Sequence, residues 1–161
     1  MSFVIRVYTP AYVITGQSES NNAFLGWLNN PNKQTLDLTE VQGLSLDPAA
    51  VLSSFAQALV TLPKRQVVAI DLVSPEAQAA VQKSPRADLA VLYTARFIIQ
   101  ASMHPTGDMP LSNMFNVMGG DFFPASDARL HPLVPTRKLP AETARVLIVN
   151  KTFVDFYHAR K

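Results

Sequence analysis

Residues 7–17, VYTPAYVITGQ, return as residues 92–102, LYTARFIIQAS, and a chain that states one extended pattern twice is constrained to build one local structure twice. Placing Tyr8-Thr9 on Tyr93-Thr94 sets an offset of 85 residues, and Tyr12, Ile14 and Gly16 then fall on Phe97, Ile99 and Ala101. Apolar side chains at alternate positions mark a strand with one buried face. Each copy opens this way, with Phe3, Ile5 and Val7 in the first and Leu89, Val91 and Tyr93 in the second. Each then reaches Tyr-Thr and resumes as a second extended run, so both read as strand, tight bend, strand. Pro10 fixes φ in the first bend, whereas Ala95 has no such restriction and predicts a looser second bend.

The correspondence continues. At an offset of 87, FLGWLN (24–29) meets LSNMFN (111–116), and LDLTEV (36–41) meets FPASDA (123–128). The first pair predicts two short helical turns, each stopped by an asparagine that tolerates the left-handed conformation. Near an offset of 79, VVAID (67–71) meets VLIVN (146–150), two β-branched runs expected as buried strands. Four segments in the same order point to an internal duplication. Its unit is too long, and occurs too few times, for a solenoid.

The copies are expected to differ between these segments. In 47–62, DPAAVLSSFAQALVTL, Asp47 stands as a cap, Pro48 at a first-turn position, and Val51, Leu52, Phe55 and Leu59 along one face, which predicts an amphipathic helix. Residues 132–144 carry three prolines and predict a loop. SPEAQAAVQK (74–83) predicts a second helix packed between the halves. The C-terminal stretch predicts a strand, a turn at Asn150-Lys151, and a last strand carrying Phe153, Phe156 and Tyr157. The domains expected are a first β module over 1–73 with the helix 47–62, a helical connector over 74–86, and a second β module over 87–161.

Composition narrows the chemistry. Of 161 residues, 48% are hydrophobic and 16% charged, which favours a globular chain with a substantial interior over a disordered one. The absence of cysteine removes disulfides, thiolate nucleophiles and cysteine-ligated metals. No apolar stretch reaches the roughly 18 residues of a membrane span and no secretory signal pattern opens the chain, so a cytoplasmic protein without membrane partners is expected. The net charge is only +2, but the excess lies in the second half: residues 86–161 hold 9 basic and 6 acidic side chains, against 5 and 6 in residues 1–85.

YTPAYVITG, the short helix closing in LN, and LDLTEV together resemble an uncharacterised bacterial domain family with a Tyr-Thr-Pro hairpin, a Leu-Asn segment and an apolar-x-Leu-Thr-acid strand. The resemblance spans most of both halves and implies no activity; the second copy departs from it at Ala95 and Ala101. More distantly, a hairpin ending Ile-x-Gly before an apolar-x-Leu strand is similar to the first motif of Sm-like small barrels, which bind RNA or assemble as rings. The usual Asp-Gly or Asn-Gly turn is missing here, and a helix is inserted.

Catalytic signatures are sparse. His104, His131 and His158 stand in separate segments with no metal-ligand spacing, and His104, in MHPTGDMP, reads as an exposed loop residue. There is no Gly-x-Ser-x-Gly elbow, and MGGD (118–121) reads as a turn feeding a strand, not a phosphate loop. Glu40 and Asp127, matched at offset 87, read as strand-end or solvent-facing carboxylates rather than an acid–base pair. Arg129, Arg137, Lys138, Arg145 and Lys151 are the candidates for contacting an anionic partner, with Tyr157 as a base-stacking residue and Trp27 as a core or interface anchor. No dense basic run or aromatic RNA-binding motif accompanies them.

The fold expected is therefore α+β, mainly β: a tandem duplication of two small barrel-like β modules with short inserted helices. The function expected is non-catalytic binding or assembly, with a protein partner or self-association and without cofactor or metal. The alternatives are an RNA or single-stranded nucleic-acid-binding small barrel and, third, an enzyme with a site at the module junction.

Overall fold

The alternating runs around each Tyr-Thr form hairpins in the computed structural model, which describes residues 2–19 and 23–161. Strand β1 (Ser2–Tyr8) turns into β2 (Tyr12–Glu19), and β6 (Asp88–Tyr93) turns into β7 (Phe97–Met103). Threonine makes both bends. The Thr9 hydroxyl accepts from the amide of Tyr12 at 2.9 Å, and Thr94 accepts from Phe97 at 2.9 Å. Each threonine also donates from its own amide to the carbonyl closing the bend, Tyr12 at 2.8 Å and Phe97 at 2.9 Å. Ala95 therefore does not loosen the second bend, because a side-chain hydroxyl, not the fixed φ of proline, closes it.

The remaining strands are β3 (Thr35–Ser45), β4 (Ser54–Pro63), β5 (Ala69–Leu72), β8 (Phe122–Pro132), β9 (Thr143–Asn150) and β10 (Phe156–Ala159). With three short helices, α1 (Phe24–Leu28), α2 (Pro75–Ala79) and α3 (Met114–Val117), the chain is mainly β, as expected. Among the described residues all ten strands belong to one antiparallel sheet in the order β10-β6-β7-β8-β9-β5-β1-β2-β3-β4, and that sheet does not close on itself. The first five strands thus run 5-1-2-3-4 and the last five run 10-6-7-8-9, the same order.

Register agrees as well as order. Tyr8 pairs with Val13 and Tyr93 with Ile98; Tyr8 also faces Ala69 on β5, as Tyr93 faces Phe156 on β10. Strand β3 carries one extra residue against β2 between Thr15 and Gln17, and β8 carries one against β7 between Gln100 and Ser102. The extra residues are Glu40 and Asp127, both left-handed with φ of 50°. After β4 and after β9 comes a lysine in a 3-10 turn that reaches back to the inserted helix. Lys64 donates to the carbonyls of Leu28 at 2.7 Å and Asn30 at 3.0 Å, and Lys151 to that of Phe115 at 3.2 Å.

The two halves meet where β5 pairs with β9, Ala69 opposite Val149 and Ile70 opposite Ile148. The β-branched runs VVAID and VLIVN are therefore partners, not counterparts. The counterpart of VLIVN is residues 59–63 on β4, and that of VVAID is residues 154–158. Over Ala69–Leu72 and Val146–Asn150 both faces are buried, and this is why these runs are apolar apart from the hydrogen-bonded Asp71 and Asn150. Ile70, Leu72, Val146 and Ile148 enter a first core with Phe3, Ile5, Phe24, Leu28 and Leu38, while Ala69, Leu147 and Val149 enter a second with Tyr8, Leu92, Phe97 and Phe123. Asn29, at the end of α1, fastens the same seam. Its Oδ1 accepts from the amides of Asp121 (3.0 Å) and Phe122 (2.8 Å), and its Nδ2 donates to the Phe122 carbonyl at 3.0 Å. Gly120, at φ of 88°, lies so close to the Asn29 amide that a Cβ there would stand 2.5 Å from it.

Three further expectations fail. Residues 47–62 are not a helix. Asp47 does cap, accepting from the Ala49 amide at 2.8 Å, but only a turn follows, and Ser54–Pro63 is strand β4. Pairing along β3, from Leu44–Ser54 to Thr35–Pro63, satisfies a ladder of backbone groups, and with no charged residue over 48–62 a helix there would have had no charged solvent face. The connector 74–86 is helical only over Pro75–Ala79, although Ala77 and Val81 are buried as in a packed spacer. Phe153 sits in the 3-10 turn before β10 and not in the last strand.

Candidate functional site

Antiparallel sheets normally blunt their outer strands with charge, proline or shortness. Strand β4 does little of this. Its ten residues, SFAQALVTLP, include no charge, and the only proline is the last. Val60 and Phe55 pack toward the first core, the Phe55 ring covering Gly43 with Tyr12 edge-on to it at 6.2 Å. Leu59 faces outward and is 59% exposed. Among the described residues, the side of β4 away from β3 has no partner strand.

The opposite edge, β10, is short and aromatic. Phe156, 59% exposed, stacks on Tyr93 at 4.3 Å, and the Tyr157 hydroxyl donates to the carbonyls of Leu111 (3.1 Å) and Ser112 (3.0 Å). Between β10 and the segment leading into α3 runs a groove of about 610 Å³ lined by Leu111, Ser112, Phe156, Tyr157, His158 and Ala159.

The residues singled out from sequence divide in two. Trp27 lies half-buried on α1, stacked on Phe24 at 6.2 Å with the Lys64 ammonium 5.3 Å from its ring, so it anchors the first core. Burial pushes the Lys64 pKa down, against an opposing pull from Asp121. Arg137 ties the β8–β9 loop to the β3–β4 loop, its amide donating to Leu46 O at 2.8 Å and its guanidinium to Ala50 O at 2.9 Å. Lys151 is engaged with Phe115 and lies 5.7 Å from the Phe123 ring. Tyr157 holds the wall of the β10 groove. Arg129, Lys138 and Arg145 stay exposed; Arg129 on β8 faces Thr143 on β9, which places Arg145 on the same face two residues along. Arg129 and Arg160 line a second hollow of about 310 Å³ together with Gln100 and Asp127, so its charge is mixed.

His104 lies in a loop, as its sequence context predicts, but it is buried where that context predicts exposure. It is 8% exposed, its Nδ1 donates to the carbonyls of Arg86 (2.8 Å) and Ser84 (3.1 Å), and its Nε2 therefore accepts from the Ser126 hydroxyl. A serine donating to an imidazole is the geometry of a nucleophile and its base. Here Nδ1 is held by main-chain carbonyls where a carboxylate would orient a catalytic histidine, and neither hollow described above includes the pair. Proline and glycine neighbours signalled a loop, and nothing in the local sequence signals that Ser126, on β8, lies opposite. Among the described residues no three His, Asp or Glu side chains converge as metal ligands, and no helix is long and apolar enough to cross a membrane.

No family model, no curated protein and no solved structure gives a significant match to the chain.

Proposed function

We propose that this chain is a tandem duplication of a small, barrel-like five-stranded module, and that it works without catalysis as an assembly protein through its outer strand edges. The duplication is supported by shared strand order and register, by the Thr9 and Thr94 bends, by the left-handed bulge residues Glu40 and Asp127, and by the Lys64 and Lys151 returns. Matched features from four different segments require one ancestral geometry more naturally than they require four coincidences.

The observation that carries the assembly reading is the uncharged, unpaired β4 edge. An edge of that length and composition templates pairing with another strand unless something covers it. Thr61 tests it. At the junction the Asn150 amide donates to Val68 O, so alternate amides of β9 point at β5, Ile148 among them, and Thr61 is the counterpart of Ile148 on β4. Thr61→Pro removes an outward amide and leaves the β3 ladder intact. Light scattering is expected to find the wild-type chain in a species heavier than one chain, reduced to a single chain by Thr61→Pro with unchanged far-ultraviolet circular dichroism. Identical masses for the two proteins contradict the reading.

A second reading, binding of single-stranded nucleic acid, is favoured by Arg129 and Arg145 on one exposed face with Arg160 nearby. It predicts oligonucleotide binding that weakens steeply with salt and is lost in Arg129→Glu/Arg145→Glu.

A further inference from the structure

The two unpaired edges are not arbitrary strands. Strand β4 is the counterpart of β9, and β10 is the counterpart of β5, so the edges left open are copies of the two strands that pair at the junction inside the chain. A surface that already fits its partner once within the molecule is offered again, in two separated halves, at the two ends of the sheet. We propose that β4 of one copy pairs antiparallel with β10 of a second copy, in the register of the internal junction. The inference rests on the edge-assembly reading above and names its partner as a second copy of this chain.

The register follows residue by residue. Ala69, Ile70 and Asp71 of β5 face Val149, Ile148 and Leu147 of β9. Their counterparts place Phe156 opposite Leu62, Tyr157 opposite Thr61, and His158 opposite Val60 of the second copy. The groove beside β10 then acquires an occupant. Inside the chain, Phe24, Ile70 and Leu72 are covered by Val146 and Ile148 in the first core. Leu111, Tyr157 and Ala159, their counterparts, line the open groove. The counterparts of Val146 and Ile148 are Leu59 and Thr61, and Val146 is 4% exposed where Leu59 is 59% exposed. Leu59 of the second copy is the side chain that this groove lacks.

Asn116 is the independent sign. It matches Asn29, whose amide makes the three hydrogen bonds that fasten the junction to the start of β8. In the single chain Asn116 is exposed in α3, the short helix that follows the groove-lining Leu111 and Ser112. Paired with a second copy, it would meet the main chain of Gln34 and Thr35, the counterparts of Asp121 and Phe122. The contact is head-to-tail, so each added copy presents the same pair of free edges, and the assembly grows until rotation closes it.

The absence of native cysteine makes the test clean. Opposed residues of antiparallel strands lie about 4.5–5.5 Å apart at Cα, within disulfide reach. Val60→Cys and His158→Cys, each half-buried or exposed, are purified separately and oxidised alone and mixed. The mixture is expected to give a disulfide dimer that neither variant gives alone, and a chain carrying both substitutions to give a ladder beyond the dimer. Adding Asn116→Ala is expected to slow the mixed cross-link about tenfold. A homodimer of Val60→Cys alone, with no mixed product, overturns head-to-tail pairing while leaving edge assembly standing. No cross-link in any mixture, with a single-chain mass by light scattering, overturns both. An unchanged rate with Asn116→Ala contradicts the register.

Discussion

Strands β9 and β4 hold the same place in the two halves, follow the same bulged strand in the same register, and have opposite surroundings. On β9, Val146 is buried against β5 and the first core; on β4, its counterpart Leu59 stands in the open. Both strands are apolar through the middle, so composition does not set the difference. The neighbour does: β9 has β5 beyond it, and β4 has no further strand among the described residues. On the edge-assembly proposal, the uncharged character of β4 is that of a strand whose outer side takes a partner like β5.

The most disruptive way to break this comparison is to place the same charge at both positions. Val146→Asp buries a carboxylate without a partner and is expected to cost more than about 4 kcal/mol in denaturant unfolding, whereas Leu59→Asp is expected to change single-chain stability by at most about 0.5 kcal/mol. Equal costs would show that Leu59 is as enclosed as Val146.

Next in size is the ion pair found at only one of the two β5-type strands. Arg6 on β1 donates to Asp71 on β5 at 2.8 Å, with side chains 15% and 7% exposed; β6 and β10 have Val91 opposite His158 in its place. Asp71→Ala strands the guanidinium and is expected to cost about 3–5 kcal/mol by the same measurement. Burial raises the Asp71 pKa above its ordinary 3.8, outweighing the attraction of Arg6. The folded state therefore holds this proton more tightly, so its contribution to stability falls as pH rises from about 3.8 through the raised value. Unfolding free energy measured across that window should decline less with pH in Asp71→Asn.

Much of this architecture was legible in the sequence. The Tyr-Thr hairpins and the short helical turns announced themselves by type and spacing, but the asparagines are not left-handed stops: Asn29 has φ of −82° and Asn116 lies within α3. What could not be read was the outer strand. Val51, Leu52, Phe55 and Leu59 happen to fall at helical intervals, and β4 lacks a clean alternation because its outer side faces no core in the single chain. The match of VVAID with VLIVN failed for the opposite reason. Strands buried on both faces lose period-two patterning and resemble one another, so partners at the junction looked like counterparts. The basic candidates are not equally free, because Arg137 and Lys151 are drawn to main-chain carbonyls, and charge in a sequence does not say which cations a fold has already used.

Smaller substitutions sharpen the comparison. Asn29→Ala removes three hydrogen bonds at the covered seam and is expected to cost about 1–3 kcal/mol. Asn116→Ala at the open counterpart should leave the dilute single chain within about 0.5 kcal/mol of wild type in thermal or denaturant unfolding. Smallest is the bulge. Glycine relieves the left-handed conformation at either position, so Glu40→Gly and Asp127→Gly are each expected to change stability by no more than about 1 kcal/mol. Glu40→Gly should gain more, since aspartate tolerates that conformation better than glutamate.

Hydrogen–deuterium exchange followed from dilute to concentrated protein puts the matter most directly. If the open edges are halves of the contact already made between β5 and β9, amides of Leu59 and Thr61 on β4 and of Tyr157 on β10 will slow together as concentration rises, while those of β5 and β9 stay protected throughout. Exchange on β4 and β10 that does not depend on concentration would contradict it.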